Sequence, residues 1–207
     1  MTTANIYLVR HGQDLDNAAG ILNGHRDMPL TETGVSQAEE LARKIEESGI
    51  RFDKVYSSPL CRAFQTAQII TTRLEMEESE KMELLIERNF GCMSGKPARE
   101  IESLCSPKIL KTAGITYFLT PEGAETFPKL IVRAEKLLGI IRKKHPEGSL
   151  LLVTHGDFGK MLYAAFYRVG WEEVLSSFHF GNSEMMLLKE NCPLNKRKVI
   201  SIRQYNL

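Results

Sequence analysis

The sequence predicts an α/β fold built in layers around a mostly parallel β-sheet. Short apolar segments alternate along the chain with longer segments in which apolar residues recur at helical spacing. The segment 149–154, SLLLVT, is continuously apolar, which is typical of a parallel strand covered on both faces. This alternation favours helices packed against a sheet. With 207 residues, no repeat and no linker rich in Gly, Ser or Pro, the chain is expected to form one domain, 1–207.

The first half of the chain carries two predicted strands, each followed by a helix. The helix over 31–48 has its apolar residues on one face, and Gly49 is expected to end it. Ser58 and Pro59 are expected to open the next helix, as its N-cap and its first helical residue. The two strands are expected at 4–10 and 54–57.

The second half is predicted to hold an irregular insertion followed by further helices and strands. The insertion, 91–125, contains several Gly and Pro residues and is expected to form a lid with one helix over 97–113. The other predicted elements are helices over 126–144 and 158–168 and strands over 149–154, 184–189 and 199–203, the last two joined by the polar turn NCPLNKRK.

The composition is ordinary for a globular protein and narrows the function classes. Hydrophobic residues make up 43% of the chain, charged residues 26%, and the formal net charge is +1. Because such a balance gives no bulk attraction to polyanions, neither nucleic acid nor a membrane is an expected partner. The four cysteines show neither a paired spacing nor the spacing of metal ligands. Free thiols are therefore expected, and neither a metal nor a cofactor is expected. The cysteines are Cys61, Cys92, Cys105 and Cys192.

The chain shows no targeting or membrane signal. The N-terminal segment MTTANIYLVR lacks a basic region followed by an apolar run, as a signal peptide would have. No segment approaches the roughly 18 apolar residues of a membrane span. A cytoplasmic protein is therefore expected.

Two histidines follow predicted strands at equivalent places. His11 lies in LVRHG and His155 in LVTHG. Because ligands of open α/β sheets bind beyond the carboxyl ends of the strands, both imidazoles are expected to meet Arg10 at one crevice. Arg62, near the start of the helix after the second strand, is expected to join them. Two Arg and two His form a poor core but a good site for a phosphate dianion.

Such a site is suited to phosphoryl transfer. A neutral imidazole of His11 can attack phosphorus in line and form a phosphohistidine. The surrounding cations stabilise charge on the equatorial oxygens. The leaving alkoxide needs a proton, which a carboxylic acid can donate before acting as base on water. Glu87, which ends an apolar stretch and precedes a Gly loop, is the best-placed candidate.

Five motifs in order make the chain similar to the histidine phosphatase superfamily, also called the phosphoglycerate mutase-like family. They are LVRHG, NGHRDMPLTETG, YSSPLCRAFQTA, LIERNFGCMSGK and VTHGD. The resemblance implies a three-layer α/β/α fold, His11 as nucleophile and Glu87 as proton donor. It also implies a set of phosphate- and substrate-binding residues: Arg10, Asn17, Asn23, Gly24, Arg62, His155 and Gly156.

The chain departs from the family pattern at two places. Gln13 stands where members usually carry Glu or Thr, so any charge at that position is missing. Asn89 and Phe90 occupy the place where mutases tend to have a substrate-binding aromatic residue. Glu125 has two interpretations, as a ligand contact or as a helix cap.

The resemblance leaves phosphatase and mutase open but favours the phosphatase. Mutases of the family carry an Arg-Arg pair in the insertion, and no Arg-Arg occurs in this chain. The segment TPEGAETF resembles an element of the fructose-2,6-bisphosphatase-like phosphatases, so a small phosphorylated metabolite such as a sugar phosphate is the expected substrate. A mutase and a non-catalytic phospho-ligand binder are the alternatives, and the oligomeric state stays open, with a dimer as one option. Four residues form either a basic rim for a second phosphate or a solvated surface: Lys96, Arg99, Lys108 and Lys111.

Overall fold

The computed structural model describes residues 4–190 and 198–204, in which the strands form a six-stranded sheet and a separate hairpin. The strands are β1 (Asn5–Arg10), β2 (Lys54–Ser57), β3 (Glu80–Lys81), β4 (Ile109–Lys111), β5 (Thr116–Phe118), β6 (Ser149–Thr154), β7 (Met185–Leu188) and β8 (Lys198–Ile200). The large sheet has the order β3-β2-β6-β1-β7-β8, and β4 pairs with β5.

The large sheet is mostly parallel, as the sequence predicts. Strands β3, β2, β6 and β1 run parallel, whereas β7 and β8 are antiparallel to their neighbours. In the register of β1 and β6, Arg10 lies opposite Thr154. The residues that follow these two strands, His11 and His155, therefore leave the same edge of the sheet side by side.

Helices cover both faces of this sheet, which confirms the three-layer α/β/α fold. They are α1 (Leu15–Ala19), α2 (Glu32–Ser48), α3 (Cys61–Arg73), α4 (Ile101–Cys105), α5 (Phe127–Lys144), α6 (Gly156–Tyr167) and α7 (Trp171–Ser177). Helices α2 and α3 enclose one apolar core against the sheet, and α5, α6 and α7 enclose a larger one on the opposite face. Every helix of the described part falls short of what crossing a bilayer requires.

The end of α2 agrees with the prediction, but the start of α3 does not. Gly49 ends α2 with a φ of 71°, and the Thr31 hydroxyl caps its start by accepting a hydrogen bond from the Gly34 amide. Helix α3 begins at Cys61, two residues later than predicted, and its N-cap is Leu60 instead of Ser58. The Ser58 hydroxyl lies 2.7 Å from Nε2 of His155.

The helix predicted over 97–113 is wrong. A 3₁₀ turn over Ala98–Glu100 leads into the short α4, and the chain then forms the β4–β5 hairpin. Helix α4 ends at Cys105 because Pro107 disfavours a helical residue before it. The insertion encloses a small apolar cluster of its own: Phe90, Met93, Ile101 and Phe118.

Three further outcomes concern the ends of elements and the termini. Helices α1 and α7 are not predicted from the sequence, because both are short. The last strand is β8 instead of 199–203. Residues 191–197 of the predicted polar turn, with Cys192 among them, lie outside the described residues, whereas the other three cysteines are unpaired thiols.

A close approach of two glycines joins the loop after β1 to the start of α2. A Cβ on Gly34 would collide with the Gln13 carbonyl, and one on Gly12 would collide with the Gly34 carbonyl. We expect Gly34→Ala to lower the free energy of unfolding by about 3 kcal/mol, because backbone on both sides must move. Urea denaturation measures this change.

Gly139→Ala is the matched control. Gly139 is an exposed residue of α5, and an added Cβ meets no atom within 4 Å. Because Ala is the better helix former, this variant should gain up to about 1 kcal/mol. Equal stability of the two variants would contradict the proposed collision.

Candidate active site

Two imidazoles lie in contact at the carboxyl edge of β1 and β6. The ring centroids of His11 and His155 are 5.0 Å apart, with an interplanar angle of 62°. Their residues are only 2% and 0% exposed. The pKa of His11 is held well below its ordinary value by burial and by the nearby guanidinium groups of Arg62 and Arg10. The same causes, burial first, lower the pKa of His155. Both rings are therefore neutral near pH 7.

Hydrogen bonds orient the neutral ring of His11. Nδ1 lies 2.6 Å from the Gly12 carbonyl oxygen, which can only accept, so this nitrogen carries the proton. Nε2 is then unprotonated, and it accepts a hydrogen bond of 3.2 Å from Nε of Arg62. This tautomer presents the lone pair that a nucleophile needs.

Unpartnered buried polar atoms occur on residues that neighbour His11. Among the described side chains, three such atoms are found: Nε of Arg10, Nδ1 of His155 and Oγ of Ser183. Since buried polar groups are nearly always hydrogen-bonded, these atoms point to a polar ligand. Arg10 is held by a 2.8 Å bond from Nη1 to the Phe180 carbonyl, and Ser183 donates its amide to the Arg10 carbonyl.

The guanidinium of Arg62 is fully buried and anchored by backbone oxygens. Nη1 donates to the Arg26 carbonyl over 2.7 Å, and Nη2 donates to the Gly24 carbonyl over 2.9 Å. Gly24 has a φ of 52°, and a Cβ there would press on the Phe90 ring. The structure thus gives Gly24 an orienting contact with Arg62.

Asp14 is a buried carboxylate beside Arg62 and His11, and it was not identified from the sequence. Its Oδ2 is 3.3 Å from Nε of Arg62 and 3.8 Å from Nδ1 of His11. It accepts hydrogen bonds from Nδ2 of Asn23 at 2.7 Å and from the Asn17 amide at 2.8 Å. An acidic residue three positions after a candidate nucleophile was the signal that sequence reasoning overlooked.

We expect Asp14→Asn to destabilise the protein by about 3 kcal/mol, because it leaves the buried Arg62 cation without its carboxylate. The measurement is the free energy of unfolding in urea. Glu47→Gln is the control, since Glu47 forms an exposed ion pair with Arg43. It should cost about 0.5 kcal/mol or less. A comparable loss in both variants would refute a special role for Asp14.

Glu87 packs against the first turn of α6 and borders the inner cavity of the same site. Its Oε1 accepts from the amides of Arg88 at 2.8 Å and Phe158 at 3.0 Å. Burial, followed by the neighbouring Asp157, raises the pKa of Glu87. A raised pKa keeps the proton on this carboxyl at higher pH, as a proton donor requires. A Cβ on Gly156 would lie 3.7 Å from the Arg10 guanidinium and 3.9 Å from Oε2 of Glu87, which places Gly156 between them.

Glu125 is not the helix cap that one interpretation of the sequence made it. The N-cap of α5 is Thr126, and Glu125 does not line the two cavities at the site. Its carboxylate pairs with Arg133 at 2.8 Å. Arg133 in turn donates to the carbonyl oxygens of Ile86 at 2.7 Å and Glu87 at 3.1 Å. Glu125 therefore supports the segment that carries Glu87.

Two adjoining cavities open from the site. The inner cavity, of about 170 Å³, is lined by Arg10, Asn23, Glu87 and Gly156 among others. The outer cavity is about 1030 Å³. Both are lined by Asn17, Ile115, Tyr117, Lys160 and His179. None of the four residues considered for a basic rim lines either cavity, and all four are exposed.

Three further polar residues lie near the site. His179 is exposed and lines both cavities. Gln13 is buried, and its Oε1 accepts a hydrogen bond from the Thr31 hydroxyl at 2.8 Å. His25 is exposed, and its Nε2 lies 2.8 Å from the carbonyl oxygen of Glu87.

The segment 181–184 is a further part of the site that the sequence did not reveal. Nδ2 of Asn182 donates to the His11 carbonyl at 3.0 Å and to Oδ1 of Asn17 at 3.2 Å. This segment precedes β7. Because β7 is antiparallel, its beginning lies at the edge where the parallel strands end. A sequence analysis that considers only the residues after the carboxyl ends of strands therefore misses the segment 181–184.

The described residues contain no cluster of three or more His, Cys, Asp or Glu side chains arranged to hold a metal ion. The groups that meet at the site are instead donors and cations suited to an anion: Arg10, Arg62 and His155.

Comparison with known proteins identifies relatives of this chain. The model of the histidine phosphatase superfamily (branch 1) matches residues 6–191. Phosphoglycerate mutase-like protein 4 of Arabidopsis thaliana is 35% identical over 162 residues, covering 77% of this chain and 70% of that protein. The 2,3-bisphosphoglycerate-dependent phosphoglycerate mutase of Bartonella tribocorum is 29% identical over 181 residues, covering 83% and 85%.

A solved structure has the same fold. Phosphoserine phosphatase of Entamoeba histolytica, in complex with 3-phosphoglyceric acid, superimposes with a TM-score of 0.72 and 25% sequence identity. The match covers 89% of this chain and 90% of that one. Relatives thus include proteins named as mutases and proteins named as phosphatases.

Proposed function

Because the chain belongs to the histidine phosphatase superfamily (branch 1), we propose that it hydrolyses small phosphorylated metabolites, such as sugar phosphates, through a phosphohistidine on His11. One observation carries this proposal. The unprotonated Nε2 of His11 faces Nε of Arg62, and two buried nitrogens of the same strand edge, Nε of Arg10 and Nδ1 of His155, have no hydrogen-bond partner. A phosphoryl group bound there would meet a nucleophile and several donors together.

In the first step, Nε2 of His11 attacks phosphorus and the bond from phosphorus to the ester oxygen breaks. Glu87 gives its proton to that oxygen, so the alcohol leaves neutral. Arg10, Arg62 and His155 hold the equatorial oxygens, where negative charge develops. The Gly12 carbonyl, which accepts from Nδ1, stabilises the positive charge that the ring acquires.

In the second step, water attacks the phosphohistidine. Glu87, now a carboxylate, takes a proton from this water, and the bond from phosphorus to Nε2 breaks. Inorganic phosphate leaves, and both His11 and Glu87 return to their starting protonation states. No residue in this sequence of steps requires a metal, so the proposal is a metal-independent phosphomonoesterase.

The proposal treats 1–207 as one catalytic domain with 91–125 as its lid. The contribution of Ile115 and Tyr117 to both cavities supports this, since these residues come from the insertion. Three unpaired cysteines support placing the enzyme in a reducing, cytoplasmic setting.

Phosphoglycerate mutase is the second candidate, because the curated relatives at 35% and 29% identity are named as mutase-like or mutase. A mutase passes the phosphoryl group back to a second hydroxyl and keeps water out. Against it, the chain lacks the Arg-Arg pair expected of family mutases. The exposed Lys96, Arg99, Lys108 and Lys111 also line neither cavity.

One assay separates the two candidates. Purified protein is incubated with 3-phosphoglycerate, with a catalytic amount of 2,3-bisphosphoglycerate present, and both inorganic phosphate and 2-phosphoglycerate are measured. A panel of sugar phosphates is screened in parallel for phosphate release. The phosphatase proposal expects phosphate without isomerisation. Rapid formation of 2-phosphoglycerate with little phosphate would establish the mutase instead.

A further inference from the structure

We infer that the ion pair of Arg88 and Asp157 positions the proton donor, holding the Glu87 carboxyl so that its Oε2 carries the proton and delivers it. The inference rests on the proposed function, in which Glu87 protonates the ester oxygen. It adds which oxygen gives the proton, and it gives a role to two charged residues that the mechanism leaves unused. Both are positioning residues, because they act on the reaction through Glu87.

The first observation is the way in which the pair encloses the Glu87 carboxyl. Arg88 directly follows Glu87, and Asp157 lies in the first turn of α6. Nε of Arg88 donates to Oδ2 of Asp157 over 2.8 Å. The backbone amides of the same two residues donate to Glu87, from Arg88 to Oε1 at 2.8 Å and from Asp157 to Oε2 at 3.3 Å. The ion pair therefore joins the two backbone segments that hold the carboxyl.

The second observation is the inequality of the two Glu87 oxygens. Oε1 accepts two short hydrogen bonds, from the amides of Arg88 at 2.8 Å and Phe158 at 3.0 Å, which use both of its lone pairs. A proton on Oε1 would displace one of these donors, so neutral Glu87 carries its proton on Oε2. Oε2 is also the oxygen beside Gly156, which lies next to the Arg10 guanidinium. Glu87, Gly156 and Arg10 all line the inner cavity, so the proton is carried on the side where the phosphoryl group is proposed to bind.

The third observation is that the Arg88 cation is fixed by the insertion and by the start of α5. Arg88 is only 1% exposed, so water does not replace its protein partners. Its guanidinium carbon lies 4.9, 4.2 and 4.4 Å from the ring centroids of Phe90, Phe118 and Phe127. Nη1 donates to the carbonyl oxygens of Phe118 at 3.2 Å and Glu125 at 3.4 Å. Arg88 thus connects the insertion to the proton donor.

The fourth observation is the charge that Arg88 offsets. Asp157 lines the inner cavity next to Glu87. Burial and then the charge of Asp157 raise the pKa of Glu87, whereas the amides of Arg88 and Phe158 and the charge of Arg62 lower it. Other charged or titratable side chains around Glu87 are Arg10 across Gly156 and, at the Glu87 carbonyl oxygen, Arg133 and His25. The cation of Arg88 opposes the effect of Asp157, so the pair limits how far the Glu87 proton is retained into alkaline solution.

The first test titrates Glu87 directly by NMR, in the full chain labelled with ¹³C at the glutamate δ-carbons. The Glu87 signal is identified by its absence from the spectrum of Glu87→Gln. Asp157→Asn removes the like charge and should move the titration midpoint of Glu87 to lower pH by about one unit. Arg88→Met leaves Asp157 without its cation and should move the midpoint to higher pH by about one unit. The double variant removes both charges, so its midpoint should lie between those of the single variants.

The second test separates position from charge by comparing two esters at a pH where Glu87 is fully protonated. Arg88→Met opens the connection that holds the carboxyl, so kcat/KM for an alkyl phosphate should fall roughly 10-fold. For p-nitrophenyl phosphate, whose leaving group needs no proton, the loss should stay below about threefold. Asp157→Asn keeps an oxygen that accepts from Arg88, so both esters should stay within about threefold of wild type at this pH. If Arg88→Met does not fold, the double variant, which leaves neither charge unpaired, serves for the same comparison.

Glu102→Gln is the matched control. Glu102 forms an exposed ion pair with Lys111 at 2.6 Å, also within the insertion. Its loss should change neither the Glu87 midpoint nor the ratio of the two esters, because an exposed pair contributes little.

A Glu87 midpoint that moves in the same direction in both single variants, or in neither, would overturn the assignment. Equal losses with the alkyl and p-nitrophenyl esters in Arg88→Met would overturn it as well, since damage to the fold affects both esters alike. Failure of the proposed phosphatase is read on wild type, as the absence of phosphate release. The NMR titration does not depend on turnover, so the two failures are distinct.

Discussion

His11→Ala is expected to lower the rate of phosphate release by at least about 10⁴-fold, because it removes the atom that accepts the phosphoryl group. The loss should appear in kcat, with little change in the circular dichroism spectrum. The assay is phosphate release from the best ester of the substrate panel. A quench experiment with labelled substrate should trap acid-labile phosphate on wild type and none on the variant.

His145→Ala is the matched control for this prediction. His145 lies at the end of α5, where its Nε2 is 2.8 Å from the Tyr56 hydroxyl and remote from the cavities. Its activity should stay within roughly threefold of wild type. Full activity of His11→Ala would disprove the phosphohistidine mechanism. Trapped phosphate on wild type would, in contrast, dispose of the alternative that the chain is a non-catalytic binder.

Glu87→Gln should produce the second-largest effect, with a pattern that identifies its role. The amide has nearly the same shape but cannot give up a proton. With alkyl phosphates, kcat/KM is expected to fall about 10²- to 10⁴-fold, the usual contribution of a general acid. With p-nitrophenyl phosphate, whose leaving group needs no proton, the first step should persist. The variant also lacks the base that takes a proton from the attacking water, so phosphohistidine should accumulate. A burst of p-nitrophenol should therefore precede slow turnover.

The pH profile provides the second readout for Glu87. Reaction requires neutral His11 and protonated Glu87. Because the pKa of His11 is lowered, the nucleophile stays neutral into acid solution; because the pKa of Glu87 is raised, its proton is retained to higher pH than for an ordinary carboxyl. Wild type should therefore be most active in mildly acid solution, and kcat/KM for alkyl phosphates should fall as pH rises through the Glu87 pKa.

Glu87→Gln should remove that fall, because its amide does not titrate. Glu122→Gln, a control at an exposed residue of the insertion, should keep the wild-type profile. An unchanged alkaline limb in Glu87→Gln, or an equal loss with alkyl and p-nitrophenyl esters, would assign proton donation to another group. Asp157, whose amide lies 3.3 Å from Oε2 of Glu87, would then be the next candidate.

Much of the site could be predicted because its signals are local. A strand that ends in Arg-His-Gly and another that ends in Thr-His-Gly can be recognised within a few residues. Their meeting follows from the general rule for parallel strands, and the register of Arg10 opposite Thr154 agrees with it. Helix α2 was predicted to within a residue at each end because its apolar spacing and the stop at Gly49 are also local.

Other parts could not be predicted, since their signals are not local. The hairpin of β4 and β5 replaces the last part of the helix predicted over 97–113, because pairing between strands and the apolar cluster at Phe118 outweigh local helical preference. Ser58 looks like a helix cap in the sequence but bonds His155, which is 97 residues away. The partner of the Ser58 hydroxyl depends on which distant residue the fold brings close, and local sequence patterns do not specify that residue.

The sequence by itself determined the fold class, the parallel strands and the types of group that meet at their ends, because apolar periodicity and strand-end motifs act over a few residues. Tertiary structure decided which charges are buried there and how each is partnered. It placed Asp14 behind Arg62, brought 181–184 to the His11 loop through an antiparallel strand, and paired Arg88 with Asp157 next to Glu87. The physical reason is that burial and pairing of charge depend on contacts between distant segments, and only the folded chain sets those contacts.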